Sequence, residues 1–278
     1  SGVIGGGNDN FVLDKSGIGT LVLKGNNTFD VRDSTGSGVA LGQTDGISVT
    51  GGILRVAHSN ALGSGDATFA NVNVRGDLGA VLEIDGSGGA VNIINKHLIL
   101  FNPDNAIARG LLNRSSSESV YTGTLRNLSG DNSVTGQIDL RNSADNGNAG
   151  TNFIGSDSGR LILNGQIIGT ENDATGPTAA NNRFLYKTGA GTVQTAGAAA
   201  NTITGGYFVM NGTLELNKTA GVNAIAAPII VGDNSGGSLM DRLVVMASNQ
   251  IGDASAVAVN ASGQLSIADG VSETANIA

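Results

Sequence analysis

His58 and His97 are the only two imidazoles in the chain, and they set the first limit on the chemistry it can do. General acid–base catalysis near neutral pH most often uses histidine. His97 stands in "NKHLIL", between polar and apolar residues, and neither histidine has a second one at a metal-ligating spacing such as H-x-x-x-H. Both read as surface or rim positions. A Ser-His-Asp arrangement assembles from distant positions, but no G-x-S-x-G turn presents a serine for it. The other route to acid–base work is a pair of carboxylates, as in glycosidic-bond cleavage. Two pairs lie at i, i+2: Glu83/Asp85 and Glu171/Asp173. On a strand that spacing puts both members on one side. Glu83 and Asp85 flank Ile84 on an outer face and read as solvated, while Glu171 and Asp173 fall in a loop. Sugar sites also favour aromatic platforms, and this chain has no Trp and three tyrosines, Tyr121, Tyr186 and Tyr207. No catalytic residue, cofactor-binding residue or cofactor is assigned, and no enzyme is expected.

Cation ligands fare no better. "GGGNDNFVL" (5–13) matches one nonapeptide of the calcium-binding G-G-x-G-x-D-x-U-x type, but imperfectly and once, and the ion in such arrays is shared between consecutive copies. The stretches "SADNGNAG" (143–150) and "GTENDATG" (169–176) hold acidic and amide oxygens without a D-x-D-x-D-G order, and hard cations take six to eight oxygens. They read as solvated turns, and no metal ligand is assigned. Sequons at Asn113 and Asn211 are expected by chance in a chain rich in Asn, Ser and Thr.

The elements that would position such groups are read from composition and pattern. Glycine is 44 of 278 residues, more than twice the usual share of about 7%, and Pro is only 3. Such a chain turns often and returns to extended backbone. Hydrophobic residues make up 40%, enough for a core, but aromatics are 4%, so that core is Val, Ile, Leu and Ala. Charged residues are 14%, with a net charge of −8 and no basic cluster, which makes nucleic acid and anionic membrane surfaces poor partners, and neither nucleic acid nor a membrane span is expected. Cysteine is absent, which rules out a disulfide scaffold and suits a chain exported unfolded. No apolar run approaches 18 residues, so no membrane span is expected. The start "SGVIGGG" lacks Met and a signal-peptide pattern, and the chain reads as a mature form or an excised piece.

Helical periodicity is confined to "NAIARGLLNR" (105–114), which Gly110 interrupts. Strand signals recur about every ten residues: "GTLVLKG", "ISVTGGILRVA", "NVNVRG", "AVLEIDG", "GRLILNGQIIG", "YFVMNGTLELN", "SGQLSIADG". Several share one unit: Gly19–Gly25, Gly159–Gly165, Gly212–Leu216 and, more loosely, Gly263–Ile267. Self-similarity of this kind points to stacked repeats. In a coiled chain each strand lies about 4.8 Å from the strand of the previous turn. Leu21 and Leu23 then point inward, glycines form corners, and windings of about 20–25 residues would give about a dozen turns.

"LYKTGAGTVQTAGAAANTITGGYFVMNGTLELN" (185–217) resembles the autotransporter-associated β-strand repeat, also called the passenger-associated transport repeat, whose pattern runs K-x-G-x-G-T-L-x-L-x-G-x-N-x-Y-x-G and then G-T-L-x-L. "LDKSGIGTLVLKGNNTF…GGILRVAHSNALGSG" (13–65) is similar to a second copy. Residues 123–169 resemble the spacer between copies, and 242–275 the stretch that follows one. In the later copy Val193 and Thr195 replace the usual leucine pair. In the earlier copy Leu21 and Leu54 are 33 positions apart, against 21 for Val193 and Leu214, so a loop around "VRDSTGSGVALGQTDG" is expected to leave the rod.

The resemblance implies a right-handed parallel β-helix, secreted by bacteria and displayed or released outside the cell. The whole chain, 1–278, is expected to form one β-solenoid, with repeat-like units at 13–65, 123–169, 185–217 and 242–275. Glycine is assigned to corners, leucine to the core and lysine to the rim. The expected function is a non-enzymatic structural module, a stiff rod or fibre segment for adhesion or presentation. Expected partners are further copies or neighbouring repeats through the terminal coils, and host or environmental glycans. A glycan-acting or glycan-binding β-helix protein is the alternative.

Overall fold

The structure, a computed structural model, describes residues 2–5, 13–29, 46–63, 71–94, 96–101, 123–141, 150–170 and 183–277. The helical candidate 105–114 and the loop expected around 31–46 lie almost wholly outside these residues. Among the described residues the one helical segment is the 3-10 turn Gly76–Leu78.

Three sheets, here A, B and C, contain six, ten and seven strands, and all neighbouring strands run parallel. The chain visits the sheets cyclically. It passes from His97–Phe101 in A to Leu125–Ser129 in B and Asn132–Val134 in C, then returns to A at Ile138–Arg141. This is a parallel β-helix. Sheet B supplies one strand per winding, so the described residues make ten windings. The shortfall from a dozen reflects the longer windings of the first half.

Alternation makes the core. In sheet B, Leu21, Leu54, Leu82, Leu125 and Ile154 stand directly above one another, and the same column continues through Lys187 to Val209 and Val231. Sheet C contributes Leu161, Val193, Leu214, Leu243 and Leu265 in one file. Leu21 pairs with Leu54, and Val193 with Leu214, so the two unequal spacings in the sequence are each one winding. An interior Leu or Ile buried this way is worth about 1.5–3 kcal/mol. The low aromatic content is therefore no handicap to a core built of repeated aliphatic files.

Corners are where ladder bonding lapses, and here the two copies of the repeat prove to be one device. Lys15 ends a strand of sheet A, pairs with Val49 of the next winding, and donates from Nζ to Ser16 O (2.9 Å), Gly17 O (2.8 Å) and, one winding on, Gly51 O (2.7 Å). Lys187, in the sheet B strand Arg183–Thr188, pairs with Val209 of the next winding. Its Nζ donates to Gly189 O, Gly191 O (2.6 Å) and, one winding on, Asn211 O (2.5 Å). Both lysines are buried. The rim position expected for them is thus corrected: the alternation turns each lysine inward, and three main-chain carbonyls replace its water. The residue after the distant carbonyl is glycine in both copies, Gly52 (φ +64°) and Gly212 (φ +67°). A Cβ on Gly212 would strike Gly189 O, Gly191 O and Lys187 Nζ.

A second shared word closes the other end of the winding. Asn27 Oδ1 accepts from Ile4 N–H at 2.9 Å, and its Nδ2 donates to Ala61 O at 2.7 Å. Asn201 Oδ1 accepts from Ile167 N–H at 2.9 Å, and its Nδ2 donates to Ala224 O at 2.8 Å. Each asparagine bonds the winding before it and the winding after it, and each is followed by Thr and a buried Phe29 or Ile203.

The copies do not stand directly above one another. Gly19–Gly25 spans the strand Thr20–Leu23 of sheet B, whereas the similar words at 159–165, 212–216 and 263–267 belong to sheet C. The lysine corner joins A to B in the first copy and B to C in the second. The same module therefore sits one face further round the coil, and windings with strands in all three sheets lie between the two placements. Equivalent positions of successive windings stand in register, as the stacked repeats predict, while the first copy's word lies in sheet B and the later ones in sheet C.

Replacing Asn201 by Ala leaves Ile167 N–H and Ala224 O buried without this partner, and should lower unfolding stability by about 2–4 kcal/mol. The exposed Asn217→Ala should stay within about 0.5 kcal/mol. Denaturant unfolding of both variants checks this.

Candidate functional site

Among the described residues, those that could do chemistry are scattered or already engaged. Glu83 is 1% exposed and stands on the outer face of sheet B between two arginines. Arg55 Nη2 reaches Glu83 Oε2 at 2.8 Å, and Arg126 Nη1 reaches Oε1 at 2.8 Å. Arg126 also bridges to Asp157 at 2.5 Å, so charges alternate in sign across four windings. The solvated carboxylate expected here is instead buried and twice paired. Desolvation opposes the charge of Arg126, but Asp157 and Glu83 outweigh it and hold the guanidinium above its ordinary value. Asp85 accepts from Ser87 N–H at 3.1 Å and from Ser129 Oγ at 3.3 Å, and these bonds, Ser87 first, pull its carboxyl below the usual range. Both carboxylates are thus engaged by neighbouring side chains or turns.

His58 accepts from Asn60 N–H at 3.1 Å in a turn. His97 lies on sheet A, where burial lowers its imidazole below the ordinary value, Asp139 opposes that shift, and Arg141 adds to it. The two histidines belong to different parts of the coil, and neither meets the Glu83 ladder. Tyr207 is buried, its hydroxyl donating to Ala224 O at 3.4 Å, and burial pushes that hydroxyl upward. Glu171, Asp173, Tyr121, Asn113 and most of 5–13, 143–150 and 169–176 lie outside the described residues. Among the described residues no three His, Asp or Glu side chains gather at metal-binding distance. A cavity of about 450 Å³ at the first winding, lined by Ile4, Val22, Leu23, Lys24 and Asn27, offers a single ammonium, and its Asn27 is committed to the corner.

Two features escaped the sequence reading. One is an aromatic stripe on the outer face of sheet B. Phe153, Tyr186 and Phe208 fall in register over three windings, and Phe184 lies beside them. Ring centroids are 5.2 Å apart for Phe153–Tyr186 and 4.4 Å for the stacked pair Tyr186–Phe208. The signal was there: each aromatic stands immediately before an inward Ile154, Lys187 or Val209, one per winding. The other is the carbonyl socket around Lys187. Burial draws that ammonium down to about 7, against the opposing pull of Asp241 and Asp157. The carbonyls themselves favour the charged form, since a neutral amine has only two N–H donors for three acceptors.

Among the described residues these groups contact one another or the main chain: ammonium on carbonyls, guanidinium on carboxylates, ring on ring. No family model, curated protein or solved structure matches the chain.

The depressed lysine gives a signed pH dependence. Between about 7 and the ordinary 10.5 the unfolded chain holds the Lys187 proton and the folded chain releases it, so stability rises with pH across that window and this contribution is flat below it. Wild type should therefore gain stability relative to Lys187→Met from pH 7 to 10.5, measured by denaturant midpoints at a series of pH values.

Proposed function

We propose that this protein is a non-enzymatic structural module, a stiff β-helical rod or fibre segment of a secreted or surface-displayed bacterial protein, serving adhesion or presentation. The observation that carries this reading is the doubled corner device, Lys15 with Asn27 and Lys187 with Asn201. In each copy the recurring lysine and asparagine of the sequence bond one winding to the next. Glu83 is likewise paired within the coil, by Arg55 and Arg126. The bacterial and extracellular setting comes from the resemblance to passenger-associated repeats, and the absence of cysteine agrees with it. As a rod, the protein would carry its outward side chains and loops along a fixed axis.

Self-association is the second part of the proposal. Ile267 and Ile277 continue the inner files of Val245 and Val257 yet are 46% and 58% exposed. A further β-winding, from a longer chain or another copy, is the surface that fits above them. A glycan-binding role is the alternative, and the aromatic stripe is what favours it. Against that, rings stacked on each other offer edges rather than open faces to a sugar.

Ten windings at about 4.8 Å give a coil about 45–50 Å long. Small-angle scattering should report an elongated particle of that length or multiples of it with rising concentration. A compact globule would refute the rod, and a strict monomer at high concentration would refute end-to-end assembly. Binding on a glycan array that Tyr186→Ala abolishes would favour the alternative.

A further inference from the structure

Of the chain's three Asn-Gly sequences two lie among the described residues, and the structure separates them. Asn211–Gly212 belongs to the lysine corner. Asn211 O accepts from Lys187 Nζ at 2.5 Å, Asn211 Oδ1 is buried, and Gly212 N–H donates to Met240 O at 3.0 Å. Asn164–Gly165 follows the sheet C strand Arg160–Leu163, at the corner where the chain turns back toward sheet A. Asn164 is exposed, and among the described residues its amide group makes no hydrogen bond and Gly165 N–H meets no acceptor. The main chain on either side is held, by Asn164 N–H on Val134 O at 2.9 Å and by the Ile167 N–H bond to Asn201 Oδ1 at 2.9 Å.

From this contrast we propose that Asn164 is a site of spontaneous modification, converting to aspartate and isoaspartate. The Gly165 amide nitrogen attacks Asn164 Cγ. A Cγ–N bond forms, the Cγ–Nδ2 bond breaks, and ammonia leaves carrying the proton lost from the Gly165 amide. Water then opens the resulting cyclic imide at either carbonyl. One product is aspartate; the other is isoaspartate, with the main chain running through the side-chain carbon. Three features permit the first step. The side chain is free to turn, the nucleophilic N–H is not tied to an acceptor, and glycine brings no Cβ to hinder the approach. At Asn211 the second feature is missing, because Gly212 N–H is engaged and its carbonyl neighbour is clamped.

The consequence lies in the fold. Gly165 packs so closely on Gly136 O of the winding below that a Cβ there would collide with it, and Asn164 O lies against Gly197 of the winding above. A longer main chain at this point cannot keep both contacts. Conversion adds one negative charge and loosens the stack at one defined corner, which gives a rod of this kind a built-in record of age.

The test is incubation of the intact protein at mildly alkaline pH, followed by trypsin digestion and mass spectrometry. Cleavage after Arg160 and Arg183 isolates 161–183, and cleavage after Lys187 and Lys218 isolates 188–218, so the two sites report separately. The expected result is replacement of –NH2 by –OH at Asn164, with isoaspartate-methyltransferase labelling of 161–183, while Asn211 stays intact. Asn164→Gln should abolish the labelling of that peptide. An unchanged Asn164, conversion at Asn211 as fast as at Asn164, or labelling that persists in Asn164→Gln would each overturn the proposal.

Discussion

A wound chain must turn, and at every turn the ladder of main-chain bonds is interrupted inside a nearly dry interior. That single constraint organises the molecule. A buried carbonyl without a donor costs about 1–3 kcal/mol, and the corners at Lys15 and Lys187 each turn three carbonyls toward one buried site. Lys15 and Lys187 answer this by bringing three donors on one flexible stem into a ring of carbonyls. Asn27 and Asn201 answer it with one acceptor and one donor on a short stem, reaching down and up together. An ammonium is costly to bury. It is kept here because its acceptors belong to two windings, so the same bonds that solvate the charge also fix the register.

Much of this was legible in the sequence, though not its purpose. The files of Leu and Val, the winding lengths of 33 and 21 and the parallel coil all follow from the recurring Gly-x-Leu-x-Leu words. What misled was the ordinary expectation that lysine seeks water. The alternation places Lys187 in file with Ile154 and Val209, and only the carbonyl ring makes that placement tolerable. The turn of the second copy by one face was illegible for a different reason. Similar words form similar corners in both copies, and the phase between them is set by the lengths and turns of the windings in between.

The outer surface was the least legible part. Glu83 reads as one of two exposed carboxylates until Arg55 and Arg126, 28 positions before it and 43 after, are brought above and below it. The aromatic stripe likewise arises from residues separated by whole windings. Outward positions are unconstrained by the core, so their sorting into an ionic run at the early windings of sheet B and an aromatic run at the later ones is a property of stacking alone. It also shows how a uniform rod can present different surfaces along its length without changing its interior.

The coupling of windings through Lys187 is most directly tested by amide hydrogen exchange on Lys187→Met. If the ammonium ties winding to winding, protection should fall both at 189–192 and at 211–213, which are adjacent in the coil but belong to successive turns. Loss confined to 189–192, or no loss at either segment, would contradict the account.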